Sequence, residues 1–188
     1  MWRDAEKFLL KDKYIGPLVK KWGNCTIKPR VHKDYFQALC GEIIGQQLSG
    51  RVADVIEGRL KAKIKGRLTS NNILSLPDGQ LRSCGMAWSK VRAIKDLSQR
   101  VKDRKLHIRK LGKLTDEQVR EELVAVKGIG PWTAEMFLMF SLARPDIFPK
   151  DDLGINKAMK KLKLKNSNRW KPYRTVASWY LWRSLESG

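Results

Sequence analysis

The chain has 188 residues, enough for one domain or two small lobes around a buried core. Its 39 Lys and Arg stand against 19 Asp and Glu, so the formal charge is +20 and the pI near 10.1. That excess points to a polyanionic partner, because basic side chains that replace counterions on phosphates gain affinity by releasing them.

Charge alone leaves nucleic acid and anionic lipid open. No run is long enough to span a membrane, and the opening MWRDAEKFLLKDK lacks the apolar core of a signal peptide. An intracellular protein without membrane association is therefore expected, in the cytoplasm or nucleoid of a prokaryote or the nucleus of a eukaryote. Cys25, Cys40 and Cys84 are widely separated and lack ligand-spaced partners, so reduced structural thiols are expected. His32 and His107 read as surface residues, and no metal site is expected.

Residues 1–22 read as one or two helices, interrupted at Gly16-Pro17. Asp34 is a candidate N-cap for a helix through Phe36, Leu39, Ile43 and Ile44. Gln46-Gln47-Leu48-Ser49 follows, polar and compact, and another helix runs over about 50–60. Taken by itself, the segment reads as a capped turn joining two helices. Residues 61–67 read as a basic linker, and 69–75 as a small helix capped by Thr69 or Ser70.

Residues 81–86 read as a loose hairpin before a helix through Val91, Ile94, Leu97 and Val101. Ser89 and Lys90 open that helix, where an amide and an ammonium can hold a phosphate or simply face solvent. Thr115 to Gln118 form a capping-box pattern for the next helix.

That helix enters the central stretch, residues 123–152. Val119, Leu123 and Val126 recur at helical spacing, as do Ala134, Phe137, Leu138 and Leu142, so two helices flank a short turn. Gly128 and Gly130 bracket Ile129, which plugs the base of the hairpin, and Pro131 suits a first helical position. With no side chain at either glycine, the amides of the turn form a concavity for one phosphate oxygen, with Gly128, Ile129, Gly130 and Thr133 as candidate contacts.

Two prolines, at 145 and 149, then lead to Asp151 and Asp152 ahead of a helix over 153–164. An aspartate there can be an N-cap or a functional carboxylate. Lys157, Lys160, Lys161, Lys163 and Lys165 give the helix charge of one sign, uncompensated unless an anion is near. The last helix, about 172–185, carries Trp179, assigned to the core, and Trp182. Period-two alternation persists nowhere, so an all-α fold is expected.

Leu123-x-x-Val126-x-Gly128-Ile129-Gly130-Pro131-Trp132-Thr133-Ala134, followed by Pro149-x-Asp151-Asp152-Leu153-Gly154, resembles the helix-hairpin-helix DNA glycosylase superfamily. The alkylpurine branch, that of 3-methyladenine DNA glycosylase II, is the most similar, and the likeness extends to Ile43-Ile44-Gly45-Gln46-Gln47-Leu48-Ser49 and Trp170-Lys171-Pro172-Tyr173-Arg174. It implies two helical lobes, 34–143 and 1–33 with 144–188, with a base-binding cleft between them.

The resemblance also implies roles. Asp152 would be the catalytic carboxylate, with Asp151 its neighbour or the N-cap. Trp132, Met136 and Trp182 would form the base pocket, and Gln46, Gln47 and Leu48 would supply the residues inserted into DNA. Relatives that also cut the backbone carry a lysine at the position of Trp132, so base release without lyase activity is implied.

No four-cysteine iron–sulfur motif lies in residues 153–188, so no such cluster is expected, while a monovalent cation at the hairpin is left open. The expected substrate is damaged double-stranded DNA carrying alkylated purines, bound by a monomer. The competing readings are a glycosylase for deaminated or oxidised bases and a non-catalytic DNA-binding module.

Overall fold

The computed structural model describes residues 1–28 and 34–186; His32 and the expected lobe boundary at 33/34 lie outside them. The described residues are helical, with no strand among them, so the fold is all-α. None of their helices is long and apolar enough to cross a membrane. The chain divides into two compact units, Met1–Arg30 with Leu138–Gly188, and Val31–Phe137.

In the unit formed by residues 31–137, α3 (Tyr35–Gly45) starts at Asp34, whose carboxylate accepts from the Gln37 amide at 3.2 Å. α4 (Gly50–Ile64) runs through most of the segment expected to be a basic linker. Lys61, Ala62 and Lys63 are good helix formers, and the helix stops only where Lys65 turns left-handed at φ 52°. α5 (Ser70–Ser75) is capped by Thr69. A five-residue helix, α6 (Asp78–Arg82), occupies the start of the expected loose hairpin.

α7 (Trp88–Lys102) packs against α3, α5 and α6. Leu39 and Ile43, Ile56 and Leu60, and Ile94 and Leu97 carry successive helices into this core and are fully or almost fully buried. Each such side chain contributes roughly 1.5–3 kcal/mol. A short 3-10 turn, Ile108–Lys113, leads to α8 (Asp116–Val124), where Thr115 and Gln118 form the capping box reciprocally. α9 (Pro131–Phe140) follows, and the division between the units falls within it, after residue 137.

In the other unit, α1 (Arg3–Leu10) and α2 (Gly16–Trp22) pack with α11 (Arg174–Arg183), which also meets α10 (Leu153–Lys161). Leu9, Ile15, Ile155, Trp170, Val176 and Tyr180 form its core. Trp179, 8 % exposed, takes the core place expected of it. The Tyr180 hydroxyl donates to the Gly23 carbonyl at 2.7 Å, which ties α11 to the end of α2.

Candidate functional site

Ala125 to Gly130 connect α8 to α9 in a tight turn, closed by the Ile129 amide donating to the Val126 carbonyl at 3.1 Å. Ile129 is buried at the base. Only Gly128 has the left-handed conformation, φ 77°, and a Cβ there would come within 2.9 Å of the Ala93 Cβ. Gly130 has no such angle, and a Cβ on it would meet nothing within 4 Å. The two glycines therefore do different things: one is required by the turn, the other leaves the outer surface open.

Two side chains from elsewhere in this unit bond to the hairpin, and a third holds the loop that carries one of them. The Gln46 amide donates to the Gly128 carbonyl at 2.8 Å and to the Thr133 hydroxyl at 3.1 Å. Asp96 accepts the Lys127 backbone amide at 2.9 Å and the Arg100 Nε at 2.8 Å. Burial alone would raise the Asp96 carboxyl, but the Lys127 amide and Arg100 outweigh it and hold it below the usual carboxylate range. Lys90 donates to the carbonyls of Ile44 and Gln46 at 2.8 and 2.7 Å, and burial lowers its ammonium below the usual lysine range.

These bonds revise several expected roles. The Gln46 side chain is a strut between the α3–α4 loop and the hairpin, rather than a residue held outward for insertion. Two of the three Lys90 donors are spent on the end of α3, so its ammonium braces that loop. Thr133 is 3 % exposed and its hydroxyl accepts from the Gln46 side chain. Ser89 is exposed at the second position of α7, whose N-cap, Ala87, offers no side-chain cap.

Beyond Gln46 the loop turns outward. Gln47 has φ 57°, unusual for a residue with a side chain, and the Leu48 amide closes the turn on the Gly45 carbonyl at 3.1 Å. Gln47 and Leu48 are both exposed. On α9, Trp132 is 37 % exposed, whereas Met136 is 5 % exposed and largely closed off by its own surroundings.

In the other unit, Asp152 is the N-cap of α10, and its Oδ1 accepts from the Ile155 amide at 2.8 Å. The same oxygen accepts from the Trp182 indole N–H at 2.8 Å. The Trp182 ring stacks on Phe140, with centroids 6.0 Å apart and planes 25° apart. Gly154 permits this approach: a Cβ there would lie 3.0 Å from Trp182 Cδ1 and 3.1 Å from Asp152 Oδ1. Asp151, the alternative cap, is exposed and leaves the capping to Asp152. Trp182, expected as a pocket wall, thus spends its polar edge on orienting the carboxylate.

Phe140, Gly154, Asp96 and the bracing role of Lys90 were not singled out from the sequence. Gly154 had a signal, a glycine at the second position of a helix, two residues after the aspartate pair. Asp96 shows only its pairing with Arg100 one turn on, while its bond to Lys127, 31 residues away, leaves no mark, and the partners of Lys90 and Phe140 lie in other elements.

The pattern of the HhH-GPD superfamily of base excision DNA repair proteins matches residues 40–183. DNA-3-methyladenine glycosylase 1 of Schizosaccharomyces pombe is 31 % identical over 182 residues, which cover 89 % of this chain and 80 % of that protein. The crystal structure of a DNA-3-methyladenine glycosidase from Bacillus halodurans gives a TM-score of 0.82 at 30 % identity, over 96 % of this chain and 88 % of that one. The 3-methyladenine DNA glycosylase of S. pombe in complex with abasic DNA gives 0.82 at 30 % identity, over 96 % of both chains. The hairpin, the capped aspartate and these likenesses place the chain in one family: it belongs to the HhH-GPD superfamily of base excision DNA repair proteins.

Proposed function

We propose that this protein is an intracellular, monofunctional DNA glycosylase that excises alkylated purines of the 3-methyladenine type from duplex DNA, leaving an abasic site. The observation that carries the reading is Asp152, a carboxylate fixed by the Ile155 amide and the Trp182 indole on one oxygen. A cap alone needs only the amide. The added indole bond and the glycine that makes room for it orient the group beyond what helix capping requires.

Cleavage of an N-glycosidic bond builds positive charge on the sugar as the base departs. A carboxylate with fixed orientation stabilises that charge and can orient attacking water, and it needs no reorganisation when the charge appears. Two relatives named for 3-methyladenine, one from S. pombe and one from B. halodurans, support the alkylpurine substrate. An alkylated purine bears positive charge, so an exposed indole such as Trp132 suits it, at about 0.5–2 kcal/mol of cation–π attraction.

Extruding a base costs roughly a few kcal/mol and leaves a gap in the stack. Gln47 and Leu48, presented by the strained turn, are the groups to fill it. The amides of Gly128 and Gly130 would hold a backbone phosphate; that of Ile129, expected to share it, is spent on the Val126 carbonyl. If a monovalent cation binds this turn, the Val126 and Gly128 carbonyls, which accept from Ile129 and Gln46 and each keep a second lone pair, would be the oxygens to hold it.

The test is base release from duplexes that each carry one defined lesion. Release of alkylated purines, lost in Asp152→Asn, is the expected result. Binding of these duplexes without release of any base would leave a DNA-binding module, and preference for deaminated or oxidised bases would move the substrate class.

A further inference from the structure

Apart from the hairpin and Asp152, the unit formed by both chain ends carries an open groove of about 630 Å³. Its floor is apolar, with Phe148, Met159 and Leu164, and its rim holds Lys150, Lys160, Lys165 and Arg174. Asn156, Asn166, Ser167 and Asn168 complete the lining, and no Asp or Glu is part of it. Residues 153–185 contain no acidic residue, so the cations on α10 and the loop after it have no counter-charge along their own segment.

The acids near this segment do not offset this: Asp12 is taken by Arg169, Nε to Oδ2 at 2.7 Å, and Asp152 by the Ile155 amide and the Trp182 indole. Asp146 is engaged by Arg174, Nε to Oδ1 at 2.7 Å and Nη2 to Oδ2 at 2.9 Å, and Asp151 is a solvated neighbour of Lys150. Two turn bonds shape the wall: the Asn156 side-chain Nδ2 donates to the Lys150 carbonyl at 2.9 Å, and the Asn166 carboxamide oxygen accepts from the Asn168 backbone amide at 3.2 Å. Concentrated charge of one sign costs self-repulsion unless an anion is bound. The donors match those that hold a nucleic-acid backbone: lysine point charges, small amides and a hydroxyl for phosphate and sugar oxygens.

We propose that this groove is a second DNA contact, in which Lys150, Lys160 and Lys165 hold phosphates of one strand of the bound duplex. The proposal builds on the DNA-glycosylase reading and extends its footprint. Lys150 lies two residues before Asp152, and the Lys150–Asn156 bond spans the turn that ends in that carboxylate. A strand held in the groove is thereby anchored to the same turn that carries the catalytic group.

The experiment is lysine acetylation of the whole protein, read residue by residue by mass spectrometry, with exposed Lys102 and Lys113 as references. Duplex DNA should slow modification of Lys150, Lys160 and Lys165 several-fold relative to the references, and inorganic phosphate at the same phosphate concentration should not. Unchanged rates, or equal protection by inorganic phosphate, which would mark a small-anion site, overturn the proposal.

In parallel, K160Q/K165Q should flatten the log–log dependence of duplex affinity on salt by roughly 0.9 for each phosphate no longer neutralised. The charge-matched K102Q/K113Q should leave the slope as it is. Base release, measured on the same samples, separates the two readings. Release by the wild type with no change in slope for K160Q/K165Q sinks the groove alone. Protected groove lysines without base release sink the glycosylase reading and keep the groove.

Discussion

The Trp182 indole N–H donates to Asp152 Oδ1 at 2.8 Å, so the carboxylate at the head of α10 is held by α11 as well as by its own helix. Loss of that bond should affect chemistry rather than DNA affinity. Trp182→Phe keeps a ring on Phe140 but removes the donor, and a hydrogen bond to a charged group contributes about 1.5–3 kcal/mol. Single-turnover base release is expected to fall on the order of tenfold, with duplex affinity unchanged. Gly154→Ala, which presses on both partners, should act in the same direction. Asp152→Asn should cost at least about 100-fold and Asp151→Asn much less. Reversal of those two aspartates would move the catalytic carboxylate by one residue.

Gln46 and Leu48, two residues apart in one loop, should fail differently. Gln46→Ala cuts the strut to Gly128 and Thr133 and is expected to weaken damaged and undamaged duplex alike, because the hairpin loses its support. Leu48→Ala leaves the strut and removes an exposed apolar group, so base release should drop more than duplex binding. Fluorescence anisotropy beside single-turnover kinetics separates the two. Equal profiles would mean that the loop acts as one unit.

Much of the fold was legible because its signals are local. Asp34, Thr69 and Thr115 cap the helices they precede, and the apolar spacing around Gly128 marked the hairpin. The interactions that finish the site were not, since a side chain donating to a backbone carbonyl leaves no mark on the acceptor's identity. Nothing about Gly128 announces that Gln46, 82 residues earlier, will bind its oxygen. The two hairpin glycines also look alike as letters, although only Gly128 has a left-handed φ.

That difference gives a stability experiment. Gly128→Ala meets both a left-handed backbone and the Ala93 methyl at 2.9 Å, and should cost about 1–3 kcal/mol of stability by urea unfolding. Ala93→Gly in the same chain should recover only the steric part. Gly130→Phe points into open space and should fold normally, yet weaken binding of damaged and undamaged duplex by covering the hairpin amides.

Asp96 makes hairpin stability sensitive to acid. Its folded pKa lies below the unfolded value of about 3.9, so its stabilisation is fully present above that value and disappears as pH falls through the lower folded one. Asp96→Asn should therefore be less stable than the wild type by ~1 kcal/mol at neutral pH. The two curves should converge below about pH 4. A gap that persists in acid would show that the carboxylate charge is not what stabilises the hairpin.

The hairpin helix lacks the amine that a lyase would need. Trp132 stands at the second position of α9, where lyase-competent relatives are expected to place a lysine, and an indole cannot form a Schiff base with the sugar. Borohydride present during turnover should trap no covalent protein–DNA adduct, and product strands should stay intact until heat and alkali cleave them. The chain is rich in lysine, and one close to an abasic site can react with it adventitiously. Such a reaction should be slow and survive replacement of most individual lysines. The Lys90 ammonium, with its proton affinity lowered by burial, is the first to check, but its bonds to Ile44 and Gln46 keep it occupied. A fast, trappable intermediate abolished by replacing one particular lysine would show that the nucleophile sits elsewhere in this chain, and the monofunctional assignment would be withdrawn.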